Sequence, residues 1–140
     1  MLTSVEYRFN SPLFQIETGE EQETNPQCFG KALAQWMLNQ LGASGLMITE
    51  EIAAEDWGWL VTVQRKPFHL WVGCVSQKDD DYRSIPDAWC VFVSAEPSFI
   101  QSIWRSKEVQ DSLAEVINKV EHILRTNTRI FELHVQAAPN

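Results

Sequence analysis

Two apolar runs separated by a short polar break, Trp57–Val75, constrain this chain more than any other stretch. It reads WGWLVTVQRKPFHLWVGCV. Val, Leu, Phe and Trp dominate both runs, and such residues suit a pleated, largely buried surface. The break Gln64-Arg65-Lys66-Pro67 predicts a turn, with Pro67 in a position where its missing N–H is harmless. The stretch is therefore expected to be the central β-hairpin of the fold.

Loop length decides which faces of the two strands join, because side chains alternate with period two. A four-residue loop, Arg65 to Phe68, pairs Gln64 with His69. It sets Trp59, Val61 and Val63 beside Cys74, Val72 and Leu70, one uniformly apolar face. A three-residue loop would flip the second strand and mix both faces. The four-residue loop is the expected one. Its opposite face then carries Leu60, Thr62, Gln64, His69 and Trp71.

The remaining pattern builds around this hairpin. Val5, Tyr7 and Phe9 alternate with polar neighbours, which predicts a half-buried strand over 3–9. Asn10-Ser11-Pro12 predicts a turn, Leu13, Phe14 and Ile16 a short second strand, and Thr18–Thr24 a solvated acidic loop. Phe29, Leu33, Trp36, Met37 and Leu41 share one face of a 3.6-residue period and predict a helix over 26–41. Thr24 or Asn25 would cap it, Pro26 would occupy its first turn, Gly30 would lie within it and Gly42 would stop it. Leu46–Ile52 reads as a strand and Ser76–Asp87 as a long polar loop. Ala88–Ala95 reads as a strand antiparallel to the second hairpin strand. Phe99, Ile100, Ile103 and Trp104 suit a short helix. Val109, Leu113, Val116, Ile117, Val120, Ile123 and Leu124 predict a helix over 107–125, with Ser106 as its cap. Arg129–Val135 predicts a last strand with Phe131, Leu133 and Val135 on one side.

These elements predict an α+β fold: one domain over 1–140, a two-layer sandwich of a mainly antiparallel sheet, about five or six strands, packed by the two helices. If both helices cover one sheet face, the other needs a cover of its own. A curved sheet, the 99–104 segment or a partner would supply it, and a large exposed apolar-aromatic patch there would mark an interaction surface.

Charge and cysteine usage narrow the function. No apolar run approaches the roughly 18 residues of a membrane span. The N-terminus MLTSVEYRFN has no basic region leading into an apolar stretch, so a cytoplasmic location is expected. A net charge of −8 argues against nucleic acid or an anionic membrane as a partner and is compatible with a basic protein. Cys28, Cys74 and Cys90 are odd in number and lack CxxC spacing, which argues against disulfides and a zinc site. Cys74 and Cys90 read as core residues, and Cys28 as a thiol at a helix opening.

No motif specifies a reaction. GxSxG, GxxxxGK[ST] and HExxH are absent, and no cofactor is expected. Asp79-Asp80-Asp81 lacks the spacing that wraps ligands around Ca²⁺. The carboxylates Glu50-Glu51 and Glu55-Asp56 precede the hairpin, but nothing in the sequence marks one of them as held in an apolar environment. His122 sits at the edge of a helical stripe and His134 on the solvent side of the last strand. His69, with Thr62, Gln64 and Trp71, could build a small polar site. Six tryptophans are unusual for 140 residues. Trp59 and Trp89 read as core, whereas Trp57 and Trp71 divide evenly between core and contact surface.

The expected function is a non-enzymatic protein-binding module, in concrete form a small bacterial immunity or antitoxin-like inhibitor that meets a basic partner. Its candidate contacts are Trp57, Gln64, His69 and Trp71 on the hairpin and Asp79, Asp80, Asp81 and Tyr82 in the following loop. The alternatives are a self-associating adaptor or chaperone-like subunit, including a homodimer, and a small-molecule-binding domain or enzyme with a pocket near His69 and Trp71.

Overall fold

Six strands pair antiparallel in a single sheet, with two helices lying against it. The computed structural model describes residues 2–96 and 107–137. The strands are β1 (Leu2–Asn10), β2 (Ala53–Glu55), β3 (Gly58–Gln64), β4 (His69–Lys78), β5 (Ser84–Glu96) and β6 (Phe131–Ala137). The helices are α1 (Lys31–Ala43) and α2 (Lys107–Thr126). Spatial order is β2-β3-β4-β5-β1-β6. This is the mixed α+β architecture expected from the pattern. The short helix expected around Phe99–Trp104, and the Ser106 cap, lie outside the described residues.

The hairpin has the expected loop, Arg65–Phe68, and Trp59 opposes Cys74 while Val61 opposes Val72. Together with Val5, Tyr7, Phe9, Leu70, Trp89, Val91 and Val93 they make one apolar face of the sheet. α2 turns Val109, Leu113, Val116, Val120, Ile123 and Leu124 into this layer, as its spacing requires. α1 contributes Leu33, Ala34, Met37 and Leu41. Burying each Leu or Val removes enough apolar surface to contribute about 1.5–3 kcal/mol. Tyr7 reaches through the layer to donate to the Ile117 carbonyl and the Glu121 carboxylate. Burial, followed by the Glu121 charge, pushes its phenol well above the ordinary value.

α1 begins at Lys31, not at Pro26. Gln27 adopts φ 67°, which no helix accommodates, and Cys28 closes a turn on the Asn25 carbonyl. Phe29 is tied to the sheet instead: its carbonyl accepts from the Ser76 amide at 2.8 Å and its amide donates to Ser76 Oγ. Gly30 is therefore the residue before the helix, at φ 148°. A Cβ there would stand 2.6 Å from the Cys74 carbonyl oxygen, so only glycine lets the chain run so close to β4.

The acidic loop is not merely solvated. Glu20 is buried and caps α1 from a distance, its Oε1 accepting from the Gly30 and Lys31 amides at 2.9 and 3.2 Å. Its Oε2 accepts from the Glu17 amide. A carboxylate on unpaired amides at a helix N-terminus is favoured by both hydrogen bonding and the helix dipole. At the other end Gly45, not Gly42, ends the helix. Its φ of 104° lets the Leu46 amide reach the Leu41 carbonyl and its own amide reach Gly42. Lys119 of α2 donates to the Ser44 carbonyl there, fastening the two helices.

Other expectations shift. Leu46–Ile52 forms no strand; Leu46, Ile48 and Ile52 lean on the core from an irregular segment, and the strand is the shorter β2. Leu13–Ile16 is also irregular, with Phe14 alone buried, edge-on to Trp36 and Trp89. β4 and β5 extend into the expected 76–87 loop, leaving Asp79–Arg83 as the connection. In β6, Glu132 has φ 52° and the pairing slips, so Phe131 opposes Asn10 while Val135 opposes Tyr7. The expected single side of Phe131, Leu133 and Val135 is split by this bulge.

Replacing Glu20 by Ala should lower the unfolding free energy by about 3 kcal/mol, because buried amides lose a charged acceptor. Glu20→Gln should cost less, and urea denaturation of the two variants measures both.

Candidate functional site

The sheet face away from the helices carries its own aromatic cover. Leu60, Thr62, Trp71, Gly73, Cys90, Phe92 and Ser94 share this face through the pairings Leu60–Gly73, Thr62–Trp71, Gly73–Phe92 and Trp71–Ser94. No described helix lies on it. Gly73 gives the Phe92 ring its place, since a Cβ at Gly73 would meet that ring at 2.3 Å. Trp57 occupies the two-residue turn between β2 and β3, not a strand. It folds back to stack on Trp71, with ring centroids 5.5 Å apart at 23°, and leans on Phe92 at 5.0 Å. Trp71 packs edge-on to Phe92. Trp71 is thus a buried member of the cluster, while Trp57 stays half-exposed.

Trp57 forms a ridge between two depressions. One is a cleft of about 290 Å³ lined by Glu55, Trp57, Leu60, Arg65, His69, Trp71 and Glu96. The other, about 320 Å³, is lined by Glu6, Arg8, Val75, Gln77, Lys78 and Cys90. In the first, His69 Nε2 lies 3.2 Å from Thr62 Oγ1, and His69 Nδ1 lies 3.9 Å from Glu96. Arg65 closes the rim and is gripped by both oxygens of Glu50, at 2.7 and 2.9 Å. That guanidinium holds the Glu50 carboxyl below its ordinary range.

His69 is held below its usual value, first by burial and then by the Arg65 charge. Glu96, Glu50 and Glu55 pull the other way and do not prevail. The imidazole is therefore neutral at pH 7. Its order of hydroxyl, imidazole and carboxylate is the one used in nucleophilic catalysis. Here the carboxylate stands beyond hydrogen-bond reach and the Thr62 hydroxyl is buried. The Thr62 hydroxyl holds the imidazole at the cleft wall. Among the described residues, the buried indole N–H groups of Trp59 and Trp71 lack an acceptor. Lys31 lies over the Trp59 ring at 5.4 Å; Trp71 lines the cleft.

The eight expected contact residues do not form one site. Trp57, His69 and Trp71 converge on the cleft. Gln64 does not: a bulge at Val63 pairs it with Leu70 instead of His69, and its amide turns back to the Phe68 carbonyl. Asp79, Asp80, Asp81 and Tyr82 stand at the far tip of β4, roughly 30 Å from His69 at about 3.3 Å per strand residue. Asp79 Oδ1 accepts from the Asp81 and Arg83 amides, so it builds the turn. Glu55, Arg65 and Glu96 were missed as site residues. Glu96 opposes His69 across β4 and β5, a pairing that follows only once the register of β5 is known.

The thiols play other parts. Burial pushes Cys74 and Cys90 far up, and Glu6 beside Cys90 adds to it, so neither is a nucleophile. Cys28 precedes α1 instead of opening it, and Lys78 Nζ lies 3.0 Å from its sulfur, a partner the sequence did not reveal. Among the described residues no group of three or more His, Cys, Asp or Glu is placed to hold a metal ion, and no helix is long and apolar enough to cross a membrane. His122 and His134 are exposed.

No family model, curated protein or solved structure matches the chain.

The sign of the His69 shift sets a pH dependence. The unfolded chain takes up the proton near 6.5, before the folded one does. Stability is therefore full above that value and falls as pH drops through the lower folded value. Urea midpoints at about pH 8 and about pH 5 should differ less in His69→Gln than in the parent chain.

Proposed function

We propose that the chain is a non-enzymatic binding module that holds a basic protein on the sheet face away from the described helices, as an inhibitor of the immunity or antitoxin type does. The observation that carries this reading is the Trp57–Trp71–Phe92 cluster, set on a face without a described helix and edged by Glu55 and Glu96. A large aromatic anchor ringed by polar residues is how binding energy concentrates at interfaces. Carboxylates around it speed encounter with a basic surface and reject acidic ones. The net charge of −8 extends the same preference over the whole molecule.

Capture from source cells at low salt should recover a basic protein in stoichiometric amount. Trp57→Ala should weaken that complex by about thirty-fold or more, the effect of losing an interface hot spot, and added salt should weaken it further. A complex indifferent to Trp57→Ala would place the contact elsewhere and overturn the reading.

Self-association is a second reading, favoured by β6. This strand lies at the sheet edge and exposes Phe131 and Val135. An unprotected edge of this kind can pair with another copy of itself. Light scattering at high micromolar concentration should then show a dimer, and Val135→Lys should return it to monomer. A monomer in the parent chain removes this reading.

A further inference from the structure

We propose that the cleft between Trp57 and His69 is a receptor for a single arginine side chain presented by the basic partner. The inference rests on the reading above and narrows it to one residue type at one place.

The cleft's charge selects a cation. Glu50, Glu55 and Glu96 all act on His69 at its wall, against one guanidinium, that of Arg65. Arg65 is already engaged by Glu50. Glu55 and Glu96 are the lining carboxylates left to meet an incoming positive charge. The bidentate Arg65–Glu50 pair shows a guanidinium and a carboxylate already meeting at the rim of this same cleft.

The aromatic geometry selects a flat cation over a round one. Quaternary or methylated ammonium groups are held in cages, with rings on several sides. Here the rings are spent on one another: Trp57 stacks on Trp71, and both pack on Phe92. What remains toward the cleft is the half-buried Trp57 indole, a single ring plane at its wall. A guanidinium stacks on such a plane while its edge donates to carboxylates, whereas an ammonium offers only a point charge. The volume, about 290 Å³, suits one extended side chain and not a folded segment.

The third observation is the Trp71 indole N–H. It is buried, it belongs to a residue lining the cleft, and it has no acceptor. Buried donors without partners are rare and costly. A peptide carrying the arginine brings carbonyl oxygens with it, and one of these supplies the missing acceptor.

The test uses the full chain and a blocked tetrapeptide, Ala-Arg-Ala-Ala, with lysine and citrulline versions as controls. The readout is the six indole N–H resonances in a proton–nitrogen correlation spectrum, assigned by single Trp→Phe variants. The arginine peptide should shift the Trp57 and Trp71 signals with weak, saturable affinity, leaving Trp36 and Trp89 in place. Lysine should bind at least several-fold more weakly, and citrulline, isosteric but uncharged, should not bind. Glu55→Gln/Glu96→Gln should weaken the arginine peptide by ten-fold or more with an unchanged spectrum elsewhere. Equal shifts from citrulline, or none from arginine at millimolar concentration, would overturn the proposal. A basic partner whose affinity depends on Trp57 but not on Glu55 and Glu96 would sink the arginine receptor while leaving the binding module intact. A partner that ignores Trp57 would remove the module itself.

Discussion

The pairing of Trp59 with Cys74 decides which side of the sheet the helices can use. Alternation carries that decision along both strands, so Val61, Val72 and Leu70 go to the helices while Leu60, Thr62 and Trp71 go to the other side. β5 then inherits it through Val91 opposite Cys74, and β1 through Tyr7 opposite Val91. A slip of one residue in this hairpin would either send Trp71 into the helix layer or turn Trp59 out of it. The apolar face is nearly uniform, which makes such a slip costly and the register firm. The opposite face is thus a by-product of how firmly the core face is specified.

That second face solves its own exposure problem locally. Two Trp rings and a Phe ring could not be left bare on a sheet without inviting aggregation. Gly73 removes one side chain from the middle of β4, and the Phe92 ring lies in the space. Cross-strand glycine–aromatic pairs of this kind protect the backbone and hold the ring flat. Trp57 then closes over both from the β2–β3 turn. The cluster is rigid because each ring contacts the other two, and rigidity is what keeps an anchor's entropy cost low on binding. The half-exposed ring, Trp57, is also the one placed on a turn, where its outer surface stays available.

The sheet and both long helices were legible in the sequence because each depends on a local period. Alternation showed β1, and the 3.6-residue stripe showed α2 from its first apolar residue to its last. The start of α1 was not legible. Thr24, Asn25 and Pro26 carry every local signal of a helix start, but Phe29 is bound to Ser76 and the cap comes from Glu20, ten residues before Gly30. Both are tertiary facts, and the local signals lost to them. For the site, His69 and Trp71 were visible as one face of a strand. Glu96 was not, since no period within a strand reports what lies across from it. Gln64 failed for a related reason: a single bulged residue, Val63, re-aimed it, and no Gly or Pro marks that bulge.

The distribution of charge separates the two groups of acidic residues that composition alone would merge. The Asp79–Asp81 run is the most conspicuous in the sequence, yet Asp79 is engaged by its own turn and the loop tip is remote from any apolar anchor. Its charges act mainly near the loop, because exposed charges are screened within about 10 Å. Glu55 and Glu96 are scattered in sequence and come together only as lining residues of one cleft. They stand at the mouth of a cleft walled by a partly buried imidazole and an indole ring. Three carboxylates act on His69, yet burial and then the Arg65 charge hold it below its ordinary value. A neutral imidazole adds no second positive charge to that of Arg65 at the cleft at physiological pH. A cationic ligand of the proposed kind would meet Glu55 and Glu96 against the Arg65 charge alone, and protonation of His69 in acid would oppose its binding.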